Sequence, residues 1–453
     1  MTPFKAYDIR GEFGTEVTPD LVYRIGRCLT RVVPAGRAVV GRDARVSSPV
    51  LRDALVEGLL ESGCAVDDMG LASTPMVYFA TARKGYDLSV QITASHNPAN
   101  CNGLKISRAG AFPVGGDSGL AELERLVRAG TLPSPAARPA GLSQVDFRPD
   151  FLAFLRGWLP DLSGLKIVVD CSDGMGSLTA RDLFADADAT FLADTPDGTF
   201  PSHPPNPFEA AGRAPAVETV RRIGADVAIL FDGDADRMMV LDERGDFVRP
   251  DLMIAVMAQR FLRESPGATI LQDIRTSRGV TEAIEEVGAV SAIWKVGHAN
   301  AKRKMRELGA VFGGELAGHY YFRDFFWCDS GELAALVALG EIAAAHRRGV
   351  PLSALVKPFD RYANSGELNY TVSDKDAAIE AVRRDALSCG APLRTLDFDG
   401  YRIEFAGWWI SVRQSNTEPY VRLLLEAATP DLLAERRAAA ERALAPFLAE
   451  AEA

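Results

Sequence analysis

The chain has 453 residues, 47% hydrophobic and 25% charged, a globular composition that excludes extensive disorder. At roughly 150 residues per core, this length implies about three domains, and four compact ones also fit. A formal net charge of −11 argues against nucleic acid and anionic membrane as partners, since both reward a basic face, but leaves anionic small molecules open wherever Arg and Lys cluster in a cleft.

The start, residues 1–10, lacks the charged-then-apolar signature of a secretory signal, and no apolar run reaches the ~20 residues of a membrane helix. A cytoplasmic protein with no membrane partner is expected, and nothing points to an obligate protein partner. The six cysteines (28, 64, 101, 171, 328 and 389) form no CxxC pair, so they read as reduced thiols.

In chain order, short apolar runs alternate with stretches of helical period. The first unit predicts a strand at 38–40, a helix at 49–62, a strand at 88–93 and a helix at 119–129. Residues 130–149, rich in Pro, Ala, Arg and Ser without apolar period, read as a linker. A second unit, 149–248, has strands at 165–170 and 225–231 around a Gly-rich turn at 174–176. A third, 249–360, has strands at 268–272 and 292–296 with helices at 278–287, 299–308 and 331–347. From 361 to 453 the pattern changes to strands at 366–372, 400–405, 408–413 and 421–426 bracketed by two helices, an α+β module. The first unit, 1–148, and the two after it share one rhythm.

Four segments carry chemistry. Thr93-Ala94-Ser95-His96-Asn97-Pro98 follows the strand at 88–93, so Ser95 lies at a strand's carboxyl end, where open α/β sheets bind ligands. It lacks the GxSxG elbow of serine hydrolases. Asp232-Gly233-Asp234-Ala235-Asp236-Arg237 follows the strand at 225–231 and offers three hard oxygen donors for Mg²⁺ or a similar cation. An EF-hand is rejected despite Glu243 at its twelfth position, because Arg237 stands where Gly is needed and the flanks read as strands. Arg237 beside the carboxylates suits a site that holds metal and phosphate together.

Arg413-Gln414-Ser415-Asn416-Thr417-Glu418-Pro419 crowds a guanidinium, two hydroxyls and an amide, donors matched to phosphate oxygens, and it is not a nucleotide-binding P-loop. Gly313-Gly314-Glu315-Leu316-Ala317-Gly318-His319 places a carboxylate and an imidazole in a flexible loop able to bind sugar hydroxyls. Lys295-Val296-Gly297-His298 ends a strand and opens a helix, where backbone N–H groups favour anions. Near the start, Tyr7-Asp8-Ile9-Arg10-Gly11, and after the serine loop Asn102-Gly103-Leu104-Lys105, supply Arg10 and Lys105 as charge partners for a phosphoryl group.

Taken together and in this order, the Ser-His-Asn-Pro, DGDxDR, GExxGH and RxSNTEP segments resemble the α-D-phosphohexomutase superfamily, most closely its phosphomannomutase/phosphoglucomutase branch, over essentially the whole chain. The resemblance implies three similar α/β domains with mixed sheets and a smaller C-terminal α+β domain around a central cleft. It implies exchange of phosphate between the 1- and 6-positions of mannose or glucose through phosphorylated Ser95 and a hexose 1,6-bisphosphate. Mg²⁺ would be held by the Ser95 phosphoryl oxygen, Asp232, Asp234 and Asp236, with Arg237, Arg10 and Lys105 near the reacting group. Tyr7, Lys295, His298, Glu315 and His319 would border the substrate, and Arg413, Ser415, Asn416 and Thr417 would grip its other phosphate. Lys105 and His319 are the candidate general acid and base, and 358–361 the candidate hinge.

One departure concerns specificity: Leu316-Ala317 stands where the branch often carries Met-Ser, so a hydroxyl donor is missing. Phosphoglucosamine mutase is the rival within the family. Outside it stand a metal-dependent sugar phosphatase and a non-catalytic sugar-phosphate sensor.

Overall fold

The computed structural model describes residues 2–137, 140–415 and 420–448. Among these, the strands fall into four sheets. The strands Leu88–Ile92 and Val227–Phe231 are buried along their whole length, because helices cover both faces of their sheets. In the first sheet Ala65–Leu71, Arg37–Arg42 and Leu88–Ile92 run parallel, and Cys101–Arg108 then turns back antiparallel, followed by Ile9–Glu12.

The second sheet repeats this arrangement. Asp188–Leu192, Lys166–Asp170 and Val227–Phe231 are parallel, and Met238–Leu241 returns antiparallel. So does the third, with Val290–Trp294, Thr269–Asp273 and Phe312–Gly314 parallel and Tyr320–Phe322 antiparallel. The expected mixed sheets and their kinship are therefore present. The fourth sheet is antiparallel throughout its described strands, centred on Trp408–Gln414 and Tyr420–Ala427, with helices Lys375–Ser388 and Pro430–Leu444 packed on it.

Residues 130–149 depart from the linker reading. Leu142–Gln144 adds in parallel to Ala65–Leu71 at the sheet edge, and helix Arg148–Arg156 begins inside the segment. All three residues of that edge strand are exposed, so no alternation of apolar residues marks it in the sequence. Helix Gly331–His346 is apolar on every side, and it is correspondingly buried, packing on helix Pro250–Glu264 and on the second sheet.

One apolar core runs through the first three domains, joining Phe79, Phe151, Phe231, Phe325 and Leu336. The fourth domain has a core of its own around Val382, Ile410, Leu423 and Leu444. Its contact with the third domain is largely polar: Arg402 donates to the carbonyls of Ile274 (2.9 Å) and Thr276 (2.7 Å), and Arg278 to that of Phe405 (2.8 Å).

The sheet that carries Ser95 is covered by helices Pro19–Val32 and Ser48–Glu61, which cross at glycines. A Cβ on Gly58 would lie 2.4 Å from the Tyr23 carbonyl oxygen, and one on Gly26 2.6 Å from that of Leu55. Gly58→Ala is therefore expected to destabilise the first domain by about 2 kcal/mol, the scale of overpacking a tight core, read as an earlier urea unfolding transition. An unchanged transition would show that the crossing can open freely.

Candidate active site

In each of the first three sheets the last parallel strand turns back into an antiparallel neighbour, and the connecting loop carries the chemistry: 93–100, 232–237 and 315–319. In the fourth, the corresponding connection lies between Trp408–Gln414 and Tyr420–Ala427. Of the residues expected there, Ser415 is described and buried, while Asn416 and Thr417 lie outside the described residues.

Ser95 has φ 52°, left-handed backbone that a non-glycine residue adopts only under constraint. The constraint is visible. Thr93 Oγ1 accepts the Ser95 N–H at 2.8 Å. The wholly buried Arg45 guanidinium donates to the carbonyls of Ser95 (2.9 Å), Asn97 (2.6 Å) and Cys101 (3.0 Å) and also to that of Pro98, while its Nε meets Asp43 at 3.1 Å.

The aspartate loop lies directly against this serine. Ser95 Oγ donates to Asp232 Oδ2 at 2.6 Å and lies 3.2 Å from His96 Nδ1. Only glycine fits at 233, since a Cβ there would come within 2.6 Å of the Ser95 carbonyl oxygen. Lys105 Nζ bridges Asp234 Oδ2 (2.6 Å) and Asp236 Oδ2 (2.5 Å), and Thr74 Oγ1 also donates to Asp234 Oδ2 at 2.5 Å.

The three carboxylates are buried and can each offer an oxygen within 4.8 Å of the others. Asp234 Oδ1 and Asp236 Oδ1 have no hydrogen-bond partner among the described residues. Buried, unpartnered carboxylate oxygens at this spacing fit a hard divalent cation. Burial, then the charges of Asp234 and Asp236, push the Asp232 carboxyl well above its usual range. Asp234 is buried too, but Lys105 outweighs that burial and holds it below. Burial would lower the Lys105 ammonium, yet Asp234 and Asp236 hold it above its ordinary value.

Arg10 reaches the same place from the first strand, donating to Asn97 Oδ1 (3.0 Å) and to Asp8 Oδ2 (2.6 Å). Arg237 Nε donates to His319 Nε2 at 3.0 Å, which puts the imidazole proton on Nδ1, 2.8 Å from Asp329 Oδ2. Lys302 lies 2.7 Å from Asp329 Oδ1; although burial opposes it, Lys302 and then His319 keep the Asp329 carboxyl well below the usual range.

Above these groups opens a cavity of about 450 Å³, lined among others by Tyr7, Arg10, Arg237, His298, Glu315 and His319. Tyr7 donates to the Val296 carbonyl (2.9 Å), and Glu315 Oε1 accepts the Gly297 N–H (3.0 Å), tying the 296–298 and 315–319 loops together. Both imidazole nitrogens of His298 lack a partner among the described residues, and burial followed by the charge of Lys302 holds that ring neutral. Ala317 lines the cavity, and its methyl side chain has no polar atom to offer. Lys295, expected beside the substrate, is half-buried at the end of its strand and is not part of this lining.

Arg413 Nη2 donates to Glu367 at 2.9 Å, and the same carboxylate receives Arg422 (3.1 Å) and Arg275 (3.3 Å). A second hollow of about 460 Å³, also lined by Arg237, Ala317 and Arg275, extends the first past Glu367 and Arg422. Sequence reasoning missed Arg45, Thr74, Asp329, Glu367, Arg275 and Arg422. The local signals were Asp43-Ala44-Arg45 and Asp273-Ile274-Arg275, each an Asp-x-Arg at a strand end; Thr74, Asp329, Glu367 and Arg422 act through partners further away in the chain.

The comparisons agree with this geometry. Models of the phosphoglucomutase/phosphomannomutase family match in four parts: α/β/α domain I at residues 1–133, domain II at 160–245, domain III at 249–362 and the C-terminal domain at 367–443. The phosphomannomutase of Salmonella typhimurium is 38% identical over 458 residues, covering 96% of this chain and 98% of its own. The chain belongs to the phosphoglucomutase/phosphomannomutase family.

A "phosphohexose mutases" protein of Xanthomonas campestris is 36% identical over 443 residues, covering 96% of this chain and 97% of its own. The crystal structure of a family member from Burkholderia thailandensis superposes with a TM-score of 0.89 at 30% identity, covering 98% of both chains. Membership carries the four-domain architecture and hexose phosphate mutase activity, an isomerase reaction. Among the described residues no helix is long and apolar enough to cross a membrane.

Two outcomes follow for this family member. Arg45→Met takes the guanidinium away from the buried Asp43 carboxylate and from the carbonyls of Ser95, Asn97, Pro98 and Cys101, so it is expected to cost about 3 kcal/mol of stability and to lower mutase turnover at least tenfold, measured by urea denaturation and initial rates. Arg45→Lys keeps the charge without the planar fork and should fall between.

Glu332 accepts Ser73 Oγ (2.9 Å) behind the aspartate loop, and burial pushes its carboxyl up to about 8. A carboxyl raised on folding stabilises the native state below its unfolded value and loses that contribution as pH climbs through the folded value. Glu332→Gln should therefore raise the melting temperature relative to wild type more at pH 9 than at pH 5. An equal effect at both pH values would contradict a protonated Glu332.

Proposed function

We propose that the mutase carries its phosphoryl group on Ser95 and interconverts hexose 1-phosphate and hexose 6-phosphate, of mannose, glucose or both, through a hexose 1,6-bisphosphate. One observation carries this reading: a strained, clamped serine hydroxyl lies 2.6 Å from a buried carboxylate triad whose other members share the Lys105 ammonium. A lone structural serine has no need of such surroundings, whereas a phosphoserine with two to three oxygens to neutralise does. The domains read as 1–148, 149–248, 249–360 and 361–453, each contributing one loop.

The first half-reaction breaks the P–O bond to Ser95 and forms one to the free sugar hydroxyl. That hydroxyl loses its proton, and Ser95 Oγ gains one. Mg²⁺, held by Asp232, Asp234, Asp236 and the phosphoserine oxygen, would supply charge neutralisation when bound. Lys105 and Arg10 steady the phosphoryl oxygens from the first domain and Arg237 from the second. The Lys105 ammonium, held charged by two carboxylates, suits charge neutralisation of the phosphoryl oxygens. His319, oriented by Asp329 and Arg237, stands as the candidate for proton transfer.

His298 and Glu315 offer polar atoms to the sugar hydroxyls, with Tyr7 alongside, and Lys295 adds positive charge behind them. The mannose-named relatives support a neutral hexose over glucosamine. Arg413, Ser415, Asn416 and Thr417 hold the phosphate that is not reacting. After the sugar bisphosphate reverses its ends in the cleft, the other phosphate returns to Ser95.

The test follows purified protein with Mg²⁺ and a trace of glucose 1,6-bisphosphate by phosphorus NMR, with mannose, glucose or glucosamine 1-phosphate in parallel. Conversion to the 6-phosphate is expected for mannose or glucose, at least 1000-fold slower in Ser95→Ala on the scale of losing a catalytic nucleophile, and absent after chelation of divalent cations. Release of inorganic phosphate as the sole product, or full turnover by Ser95→Ala, would overturn the scheme.

A further inference from the structure

Glu367 sits where an anion belongs. Its carboxylate lies between the third and fourth domains and is shared by three guanidinium groups: Arg413 Nη2 at 2.9 Å, Arg422 Nη1 at 3.1 Å and Arg275 Nη1 at 3.3 Å. Oε1 takes Arg413 and Arg275, and Oε2 takes Arg422, so both oxygens are engaged. Arg275 is also anchored by Asp273 (2.8 Å), and Glu367 is the carboxylate that Arg413 and Arg422 share. Burial raises the Glu367 carboxyl, but Arg275, Arg413 and Arg422 outweigh it and bring it down to about 2, so it stays ionised throughout the neutral range.

The residue precedes strand Leu368–Thr371, follows Gly366 in left-handed backbone, and lines the hollow that continues the central cavity. A carboxylate and a phosphate both present oxygens to a planar guanidinium fork, so they compete for the same donors.

We propose that Glu367 is an internal competitor for the substrate's non-reacting phosphate: it holds Arg413 and Arg422 aligned in the empty cleft and gives them up when phosphate binds. This rests on the reading of Arg413 to Thr417 as a phosphate subsite and adds a residue that tunes it. The competition weakens phosphate binding. It thereby permits the bisphosphate to let go, reverse and bind again, which a subsite of unopposed arginines would hinder.

Isothermal titration of the intact protein with inorganic phosphate separates the alternatives. Glu367→Gln should bind phosphate about tenfold more tightly than wild type, one charge-assisted contact's worth, and should lower both KM and kcat for hexose 1-phosphate. Arg413→Ala should bind it about tenfold more weakly. Unchanged or weaker binding by Glu367→Gln beside a weakened Arg413→Ala would overturn the competition alone; wild-type binding by Arg413→Ala would overturn the subsite on which it rests.

A measurement on the wild type guards against a variant that folds poorly. In a crystal structure with inorganic phosphate bound beside Arg413, the Glu367 carboxylate should have lost its contact to Arg413 or Arg422. Retention of both contacts with phosphate bound would also overturn the proposal.

Discussion

Three carboxylates, one ammonium and one hydroxyl share a space from which water is nearly excluded, and the rest of the molecule serves to hold them there. Asp232, Asp234 and Asp236 follow one buried strand, while Ser95 comes from the loop and Lys105 from the second strand of a hairpin in another domain. Unpaired, any of these charges would cost several kcal/mol to bury. The lysine bridge to Asp234 and Asp236, the threonine on Asp234 and the serine on Asp232 offset part of that cost. Among the described residues, Asp234 Oδ1 and Asp236 Oδ1 have no hydrogen-bond partner, an arrangement that fits a hard cation. The fused core of the first three domains keeps these loops in register, and the glycine at 233 lets two backbones touch.

The placement of chemistry follows from a repeated topological device. Each of the first three sheets has a run of parallel strands followed by an antiparallel return, and the functional loop is the hairpin at that reversal. A hairpin there has its ends fixed by two paired strands, so its few residues can be held in strained backbone, as at Ser95 and Ala235. The fourth domain differs. Its separate core and its arginine-to-carbonyl seam with the third domain can slide or part without exposing the main apolar core. In the proposed reaction that freedom lets the cleft close over a sugar phosphate and reopen.

Much of this was legible in the chain. The strands 88–93 and 225–231 are short β-prone segments ending in polar loops, and the loops beginning at Ser95, Asp232 and Glu315 lie at one cleft, as the family resemblance implied. Leu142–Gln144 was not legible, because an exposed edge strand carries no periodic signal. Arg45 was missed because its partners are backbone carbonyls of another loop, which no side-chain pattern records. Glu367 reads locally as a turn acid; only folding gathers Arg275, Arg413 and Arg422 around it. Lys295, half-buried just past its strand, is not among the residues lining the cavity.

The most direct measurement of the central claim is where the phosphate resides. Protein incubated with glucose 1,6-bisphosphate and Mg²⁺, then digested and mapped by tandem mass spectrometry, should carry one phosphate on Ser95 that hexose 1-phosphate removes. Phosphate on an aspartate or on another serine, or a Ser95 phosphate that hexose 1-phosphate cannot discharge, would contradict a reaction organised around this loop.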